Sequence, residues 1–443
     1  MNRKIFPIMI ALLIVRCHTV CSQAPRDTLY LTLKQALEIA LSESPTIRIA
    51  DQEIEKREYA KKGTYASLFP QIDVDGSYQR TIKKRTMYLG IPGMEGGLKM
   101  DRNNAYSAGV TAVMPVISVP LWKSLQISAH DVELSIEKAR SSRIEMTDQV
   151  KCAFYGVLLA QDALNVFNRA YDNAVFNYNE IERKYRQGLL AEYDLIRANV
   201  SVKNAEPNVY DAENTLVLAH WQLKALLGLN LESNVACVGS LSDFENALAG
   251  DYLQTDLTLH NNSDLKQIDI QHQQLRKTKQ MQIAQYYPAL GIQFNYQWTS
   301  SSDNFKFRDY KWAPYSTAAL SLKIPIFSGG KRYADVKKTQ LTIHQLTDQR
   351  LDAERKLNVA AKQYNDRMTT CIKQYQAASA GVKQAMKSYD ITMKRYETGE
   401  GTMLDINDAQ LSLTQAQLNM NQSVYNYLVA KSGLEKTLGN TPE

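Results

Sequence analysis

The fold is decided by the stretch Tyr185-Arg-Gln-Gly-Leu-Leu-Ala-Glu-Tyr-Asp194. Apolar residues recur in steps of three and four from Val157 to Tyr185 before it, and from Leu195 to Leu226 after it. This spacing is typical of a coiled-coil seam. Gly188 can adopt the turn conformation needed to join the two helices. The stretch therefore predicts the tip of a long helical hairpin.

The same hairpin is repeated later in the chain, in the stretch Tyr396-Glu-Thr-Gly-Glu-Gly-Thr-Met-Leu-Asp405. Adding 211 to each residue number carries Gly188 onto Gly399 and Asp194 onto Asp405. A repeat of this length is too long for one unit of a solenoid. The recurrence therefore indicates a duplicated chain.

The prolines mark where long helices can run, because proline disrupts a helix interior. None occurs between Pro120 and Pro207, or between Pro325 and Pro442. A helix covering 121–186 would be roughly 100 Å long at 1.5 Å per residue. We expect Pro207 to interrupt the helix that returns from the first tip and to kink it.

The duplication predicts two structural repeats. The first, 23–240, contains a helix, a β-hairpin at 71–117 and a long helical hairpin with its tip near 188. The second, 241–443, contains a helix, a β-hairpin at 289–327 and a helical hairpin with its tip near 399.

The N-terminus has the layout of a secretory signal. Arg3 and Lys4 precede an apolar stretch, and small residues allow cleavage before Gln23. We predict a signal peptide at 1–22, with lipidation of Cys17 or Cys21 as the alternative. Beyond it, no apolar run approaches 20 residues, which excludes a polytopic α-helical membrane protein.

The charge of the mature chain is small. The full 443-residue sequence carries 52 basic and 46 acidic residues, and removing the three basic residues of the signal peptide lowers the formal charge from +6 to +3. This value argues against nucleic acid as a partner. The three remaining cysteines offer no disulfide framework, so the fold depends on packing.

Each half contains two segments in which apolar and polar residues alternate, as in a transmembrane β-barrel strand. The alternative is a soluble sheet with one wet face. Four strands cannot close a barrel, and open edges in lipid are prohibitive, so several copies must share one barrel. Two copies give eight strands and three give twelve. Asp73, Asp75, Gln293 and Lys323 suit the wet lumen of the larger barrel.

The chain resembles the TolC family of outer-membrane efflux proteins over nearly all of its mature length. Four segments and the duplication carry the resemblance: Leu31-Thr-Leu-Lys-Gln-Ala-Leu-Glu-Ile-Ala-Leu-Ser-Glu-Ser-Pro45, Leu68-Phe-Pro70, Ile324-Pro-Ile-Phe-Ser-Gly-Gly330 and the second tip. The first-half exit, Met114-Pro-Val-Ile-Ser-Val-Pro-Leu121, departs from the pattern because it lacks paired glycines.

The resemblance implies a mostly α fold with a β-barrel portion: four transmembrane strands per protomer, a closed 12-stranded barrel in a homotrimer, and a periplasmic α-barrel of coiled-coil helical hairpins. It implies an outer-membrane location with an extension into the periplasm. It further implies contact with outer-membrane lipid, docking onto a periplasmic adaptor, and an inner-membrane pump of RND or ABC type. The implied function is a passive exit duct for efflux or type I secretion, and its cargo stays open among drugs, metals and proteins.

The resemblance also implies particular site residues. Asp405 and Asp408 match positions where the family places constricting aspartates, and Asp194 occupies the place of Asp405 in the first half. Helix capping is the competing interpretation, since Thr402 and Asp405 form a capping-box pattern. The residues expected at the adaptor-contacting tips are Tyr185, Gly188, Leu189, Tyr396, Gly399 and Gly401.

The sequence offers no catalytic constellation. The histidines are scattered, and Ser328-Gly-Gly-Lys331 lacks the spacing of a phosphate loop, so we interpret it as a strand-to-helix turn. We therefore predict no enzymatic activity, no cofactor and no metal. The rival function is a secreted or surface-attached coiled-coil scaffold.

Overall fold

The computed structural model describes residues 28–88, 98–248 and 257–440, so the predicted signal peptide lies outside the described residues. Within these ranges the chain forms eight α-helices: α1 (Leu33–Glu43), α2 (Pro45–Ala66), α3 (Val119–Arg186), α4 (Glu192–Leu227), α5 (Glu245–Leu248), α6 (Ser263–Ala284), α7 (Lys331–Glu397) and α8 (Met403–Leu438). None of the described helices is both long enough and apolar enough to cross a lipid bilayer.

The same ranges contain eight strands: β1 (Leu29–Leu31), β2 (Gln71–Arg80), β3 (Thr86–Met87), β4 (Leu98–Lys99), β5 (Asn104–Ile117), β6 (Val235–Cys237), β7 (Ala289–Ser302) and β8 (Ala313–Lys323). The order helix, two long strands, long helix, shorter helix recurs in the two halves of the chain. β8 ends at Lys323, whereas the sequence predicted a hairpin reaching 327. Pro325, which has no backbone N–H to donate, explains the earlier end.

Two helical hairpins form most of the molecule. α3 has 68 residues and α7 has 67, so each is roughly 100 Å long. α3 packs along α4, and α7 packs along α8. The predicted seam is confirmed, because Val157, Ala174 and Ile181 on α3 are buried, as are Ala198 and Val209 on α4.

The expected interruption at Pro207 is wrong, because α4 continues through this proline. A proline inside a helix removes one hydrogen bond and costs about 3 kcal/mol or more. Buried residues on both sides, Ala198 and Val209, hold the helix against its partner and offset this cost.

The four long strands form one antiparallel sheet in the order β2-β5-β7-β8. β5 pairs with β7, so the strand pairs of the two halves join directly. A register shift between Pro115 and Ile117 lies at the end of β5 that leads into α3.

The main core lies midway along the hairpins, where both halves meet. Phe154 and Leu158 of α3, Leu227 of α4 and Tyr427 of α8 are almost completely buried there. The parallel pair β1–β6, which the sequence did not predict, packs onto this core through Leu31. Strands of three residues leave too little alternation to detect in a sequence.

Candidate channel wall and helical tips

The register of the long sheet separates its side chains into an apolar and a polar face. Side chains alternate between the faces of a strand, so residues paired across the sheet share a face. One face carries apolar side chains: Ile72, Val74, Tyr78, Val110, Met114, Ile292, Phe294, Trp298, Leu320 and Leu322. The other carries Asp73, Asp75, Ser77, Ser107, Thr111, Gln293, Asn295, Gln297, Thr317 and Lys323.

Hydrogen bonds run between strands on the polar face. The Thr111 hydroxyl donates to Asn295 Oδ1 over 3.2 Å, and the hydroxyls of Ser77 and Ser107 are 2.7 Å apart. On the apolar face, by contrast, Val74 is 80% exposed and Leu320 is 68% exposed. Apolar area this extensive on a single chain indicates a surface that contacts lipid or another protein.

The sheet ends in two unpaired edges within the described residues. β2 pairs only with β5, and β8 pairs only with β7. Each edge presents a row of backbone N–H and C=O groups, and such a row favours pairing with another strand.

The two helical tips have the same backbone hydrogen bonds. At the first, Gly188 N–H donates to Tyr185 C=O over 2.8 Å; at the second, Gly399 N–H donates to Tyr396 C=O over 3.2 Å. Both glycines have a left-handed backbone, with φ of 74° and 84°. This conformation ends α3 and α7 and is the reason for glycine at each tip.

A groove of about 540 Å³ lies between the tips. It brings together five of the predicted site residues: Leu189, Asp194, Tyr396, Gly399 and Gly401. Tyr185, Gly188, Asp405 and Asp408 lie outside its lining. The groove also has lining residues that the sequence did not predict, among them Lys184, Tyr193 and Arg197. These residues lie on the surfaces of helices, where charged and aromatic side chains are common, so their sequence pattern does not distinguish them.

Tyr396 is the best-buried aromatic residue of the groove. Its hydroxyl is buried and has no hydrogen-bond partner among the described residues, and Lys184 Nζ lies 5.3 Å from its ring centre. Burial, and secondarily the nearby Asp194 carboxylate, raises the pKa of Tyr396. The hydroxyl is therefore neutral and able to donate a hydrogen bond.

Asp405 caps the start of α8. Its Oδ2 accepts hydrogen bonds from the Thr402 backbone N–H, at 2.9 Å, and from the Thr402 hydroxyl, at 2.8 Å. These bonds lower the pKa of Asp405, so the carboxylate is charged at neutral pH. Asp408, one turn further along α8, is exposed. The capping-box geometry is present, and it leaves the charge of Asp405 in place.

Arg332 connects the sheet to the helices, a role that no sequence pattern predicted. Its guanidinium donates to Ser328 Oγ at 3.0 Å, to Gln285 C=O at 3.2 Å and to Pro325 C=O at 3.1 Å. It also stacks over Tyr286, 4.6 Å from the ring centre. The expected strand-to-helix turn at Ser328-Gly-Gly-Lys331 is present, since α7 begins at Lys331. Arg332 joins this turn to the end of α6.

Comparison with known proteins agrees with this architecture. The model of the outer membrane efflux protein family matches residues 36–229 and 255–440. The chain is 24% identical over 414 residues to the alkaline protease secretion protein AprF of Pseudomonas aeruginosa, covering 91% of this chain and 83% of that protein. It is 22% identical to the outer membrane protein TolC of Escherichia coli K12, covering 77% and 71%. The solved Campylobacter jejuni CmeC outer membrane channel has a TM-score of 0.73 at 17% identity, covering 92% of this chain and 85% of that one.

The fold and its two-faced sheet therefore define the class of the protein, an outer-membrane channel with a helical portion in the periplasm. The chain belongs to the outer membrane efflux protein family. The predicted fold class, location and function as an exit channel for efflux or secretion are confirmed. The scaffold alternative has no support in these comparisons.

Proposed function

We propose that three copies of the chain form one passive duct from the periplasm to the cell exterior. The observation that carries this proposal is the sheet with two unpaired edges and an exposed apolar face. In lipid each unpaired backbone group costs several kcal/mol. Pairing β8 of one copy with β2 of the next satisfies both edges at once. Repeating this contact closes a ring.

Three copies suit the chemistry of the polar face better than two. Eight strands make a barrel whose interior is filled by side chains, whereas twelve leave room for water. The charged and amide groups on the polar face, among them Asp73, Asp75 and Gln293, favour the wetter barrel. In this assembly the apolar face contacts outer-membrane lipid, and the helical hairpins extend the duct through the periplasm.

The tips dock onto a periplasmic adaptor in this proposal, and through it the duct serves an inner-membrane pump of RND or ABC type. The groove between the tips supports docking, because it exposes Leu189 and Gly399 beside the half-buried Tyr396. The turns on either side of the groove contribute the other tip residues, Tyr185 and Gly188 from the first tip and Gly401 from the second. The chain performs no chemical step and holds no cofactor, so transport follows the gradient or the pump.

Asp405 and Asp408 constrict the periplasmic mouth, with Asp194 contributing from the first half. In a trimer the first two residues make a ring of six carboxylates, which attract cations and repel one another. The cap at Thr402 fixes the position of the Asp405 carboxylate without neutralising it. Capping and gating are therefore compatible at Asp405.

Planar-bilayer conductance of the purified protein tests the gate. The double variant Asp405→Asn with Asp408→Asn keeps oxygen acceptors in place while removing six charges from the ring. We expect larger single-channel conductance and weaker block by trivalent cations. Thr402→Ala is the matched control, because it removes the hydroxyl that takes part in the capping box and leaves both carboxylates. If trivalent cations block the double variant and the unsubstituted protein equally, the two aspartates do not form a gate and only the capping interpretation remains.

A further inference from the structure

A strongly basic surface lies at the end of the sheet farthest from the long helices. It consists of residues 80–88, 98–103 and 303–312, which we call the outer loop patch. The patch contains nine Lys or Arg residues and three Asp residues, an excess of six positive charges. The mature chain as a whole carries a formal charge of only +3, so the residues outside this patch carry a net charge of −3. The patch therefore differs in sign from the rest of the mature chain.

One carboxylate, Asp303, contacts two of these cations. Asp303 accepts hydrogen bonds from Lys84 Nζ at 2.8 Å and from the Asn103 backbone N–H at 2.9 Å, and Arg102 lies 3.5 Å away. Asp303 follows β7, whereas Lys84 and Arg102 belong to the loop region between β2 and β5. One acidic side chain of the second hairpin thus holds two cations of the first hairpin beside it and compensates only part of their charge.

Several cations of the patch have no ion pair among the described residues, and three of them are lysines in the segments 81–85 and 303–312. Lys83, Lys306 and Lys311 are exposed. No acidic group of the described chain lies within ion-pairing distance of them. Each can therefore bind an external anion without first breaking an internal ion pair.

An aromatic band borders the patch and sets its depth. The rings of Tyr78 and Tyr106 stack 5.0 Å apart, and Tyr106 lies 5.1 Å from Tyr310. Aromatic girdles of transmembrane barrels lie at the level of the lipid headgroups. The Arg80 guanidinium lies 5.4 Å from the ring of Phe305, so the cations begin where the aromatic band ends. This order of apolar face, aromatic band and cations matches acyl chain, interface and phosphate.

We propose that the outer loop patch binds the phosphate groups of lipopolysaccharide in the outer leaflet of the membrane. The inference rests on the proposed function, which orients this end of the sheet toward the cell exterior. Lys and Arg are the usual ligands of phosphate, and desolvated phosphate contacts are charge-assisted. The acyl chains of the same molecule contact the apolar face of the sheet. A single lipopolysaccharide molecule thereby contacts both the outer loop patch and the apolar face of the sheet.

Binding of bisphosphorylated lipid A to the detergent-solubilised protein tests the proposal, with native mass spectrometry as the measurement. The triple variant Lys83→Ser, Lys306→Ser, Lys311→Ser should bind roughly a hundredfold more weakly, given the contribution of each cation beside an anionic lipid surface. The matched control replaces Lys373, Lys383 and Lys387, three exposed lysines of α7, with Ser. This control should bind as the unsubstituted protein does.

Two further probes identify the ligand. Lipid A without phosphates should bind weakly to every form of the protein, and inorganic phosphate at millimolar concentration should not displace bisphosphorylated lipid A. Equal affinity of the triple variant and the control would overturn the inference. So would displacement by inorganic phosphate, because it would assign the patch to small anions.

Conductance in phospholipid bilayers free of lipopolysaccharide tests the duct separately. A protein that conducts and does not bind lipid A overturns only the lipid inference. A protein that binds lipid A and does not conduct overturns only the proposed duct.

Discussion

Replacing Arg332 should uncouple the sheet from the helices that continue it. Its side chain is buried, with 8% of the residue exposed. It donates hydrogen bonds to the residue that follows α6, to the segment after β8 and to the turn before α7. Hydrogen bonds to a charged group contribute about 1.5–3 kcal/mol each, and a buried carbonyl left without a donor adds its desolvation cost. Water reaching the site recovers part of this loss. We therefore expect Arg332→Ala to lower the free energy of unfolding by about 3 kcal/mol.

Guanidinium unfolding of the detergent-solubilised protein, followed by loss of helical circular dichroism, measures this change. The free energy of unfolding of Arg332→Lys should lie between those of the unsubstituted protein and Arg332→Ala. An ammonium keeps the charge but cannot reproduce the planar fork of a guanidinium. Lys331→Ala is the matched control, since this neighbouring lysine is exposed. If Arg332→Ala and Lys331→Ala unfold at the same denaturant concentration, Arg332 does not hold the junction.

Three more predictions concern packing, titration and thiol chemistry. Gly439→Ala should destabilise the protein more than Gly399→Ala: both glycines have positive φ, but a Cβ at 439 would lie 2.1 Å from Asn261 C=O, whereas 399 has open space. Overpacking of this kind costs about 1–3 kcal/mol, and equal unfolding midpoints would refute it. Trivalent-cation block should persist to slightly lower pH in the unsubstituted protein than in Thr402→Ala. The backbone N–H of residue 402, which alanine keeps, lowers the pKa of Asp405 most, and the Thr402 hydroxyl lowers it further. Identical pH profiles would contradict the contribution of the hydroxyl. Burial raises the pKa of Cys237 to about 12. A thiol reagent at pH 8 should therefore label Cys237 only after unfolding. Rapid labelling of Cys237 in the native protein would count against its buried position.

The sequence predicts the long elements well because their patterns are long. A seam repeated over nine or ten positions, as between Val157 and Tyr185, averages out single exceptions. The strands alternate over ten residues or more, enough to assign a face to Asp73 or Phe294. Gly188 and Gly399 mark the tips because a left-handed backbone favours glycine.

The remaining features depend on contacts between distant segments. β1 and β6 pair across more than two hundred residues, and neither has a pattern of its own. Arg332 follows a turn that the sequence identifies, but its acceptors on Gln285 and Pro325 become visible only when the chain is folded. Pro207 illustrates the opposite error, since a local rule predicted a break that tertiary packing overrides.

The same limit applies to the candidate site. The sequence and its resemblance to a family point to Asp405 and to the tip glycines, and the structure adds the groove between the tips. Lys184 and Arg197 contribute to that groove from helical faces that look like ordinary solvated surface in the sequence. Their role follows from the approach of the two hairpins.

The central claim is that the edges of β2 and β8 are satisfied only by sister chains. Native mass spectrometry of the protein extracted from membranes in mild detergent tests it most directly. We expect a single species of three copies that requires detergent to remain in solution. A monomer stable in water without detergent, with slow amide exchange along both edge strands, would contradict the claim.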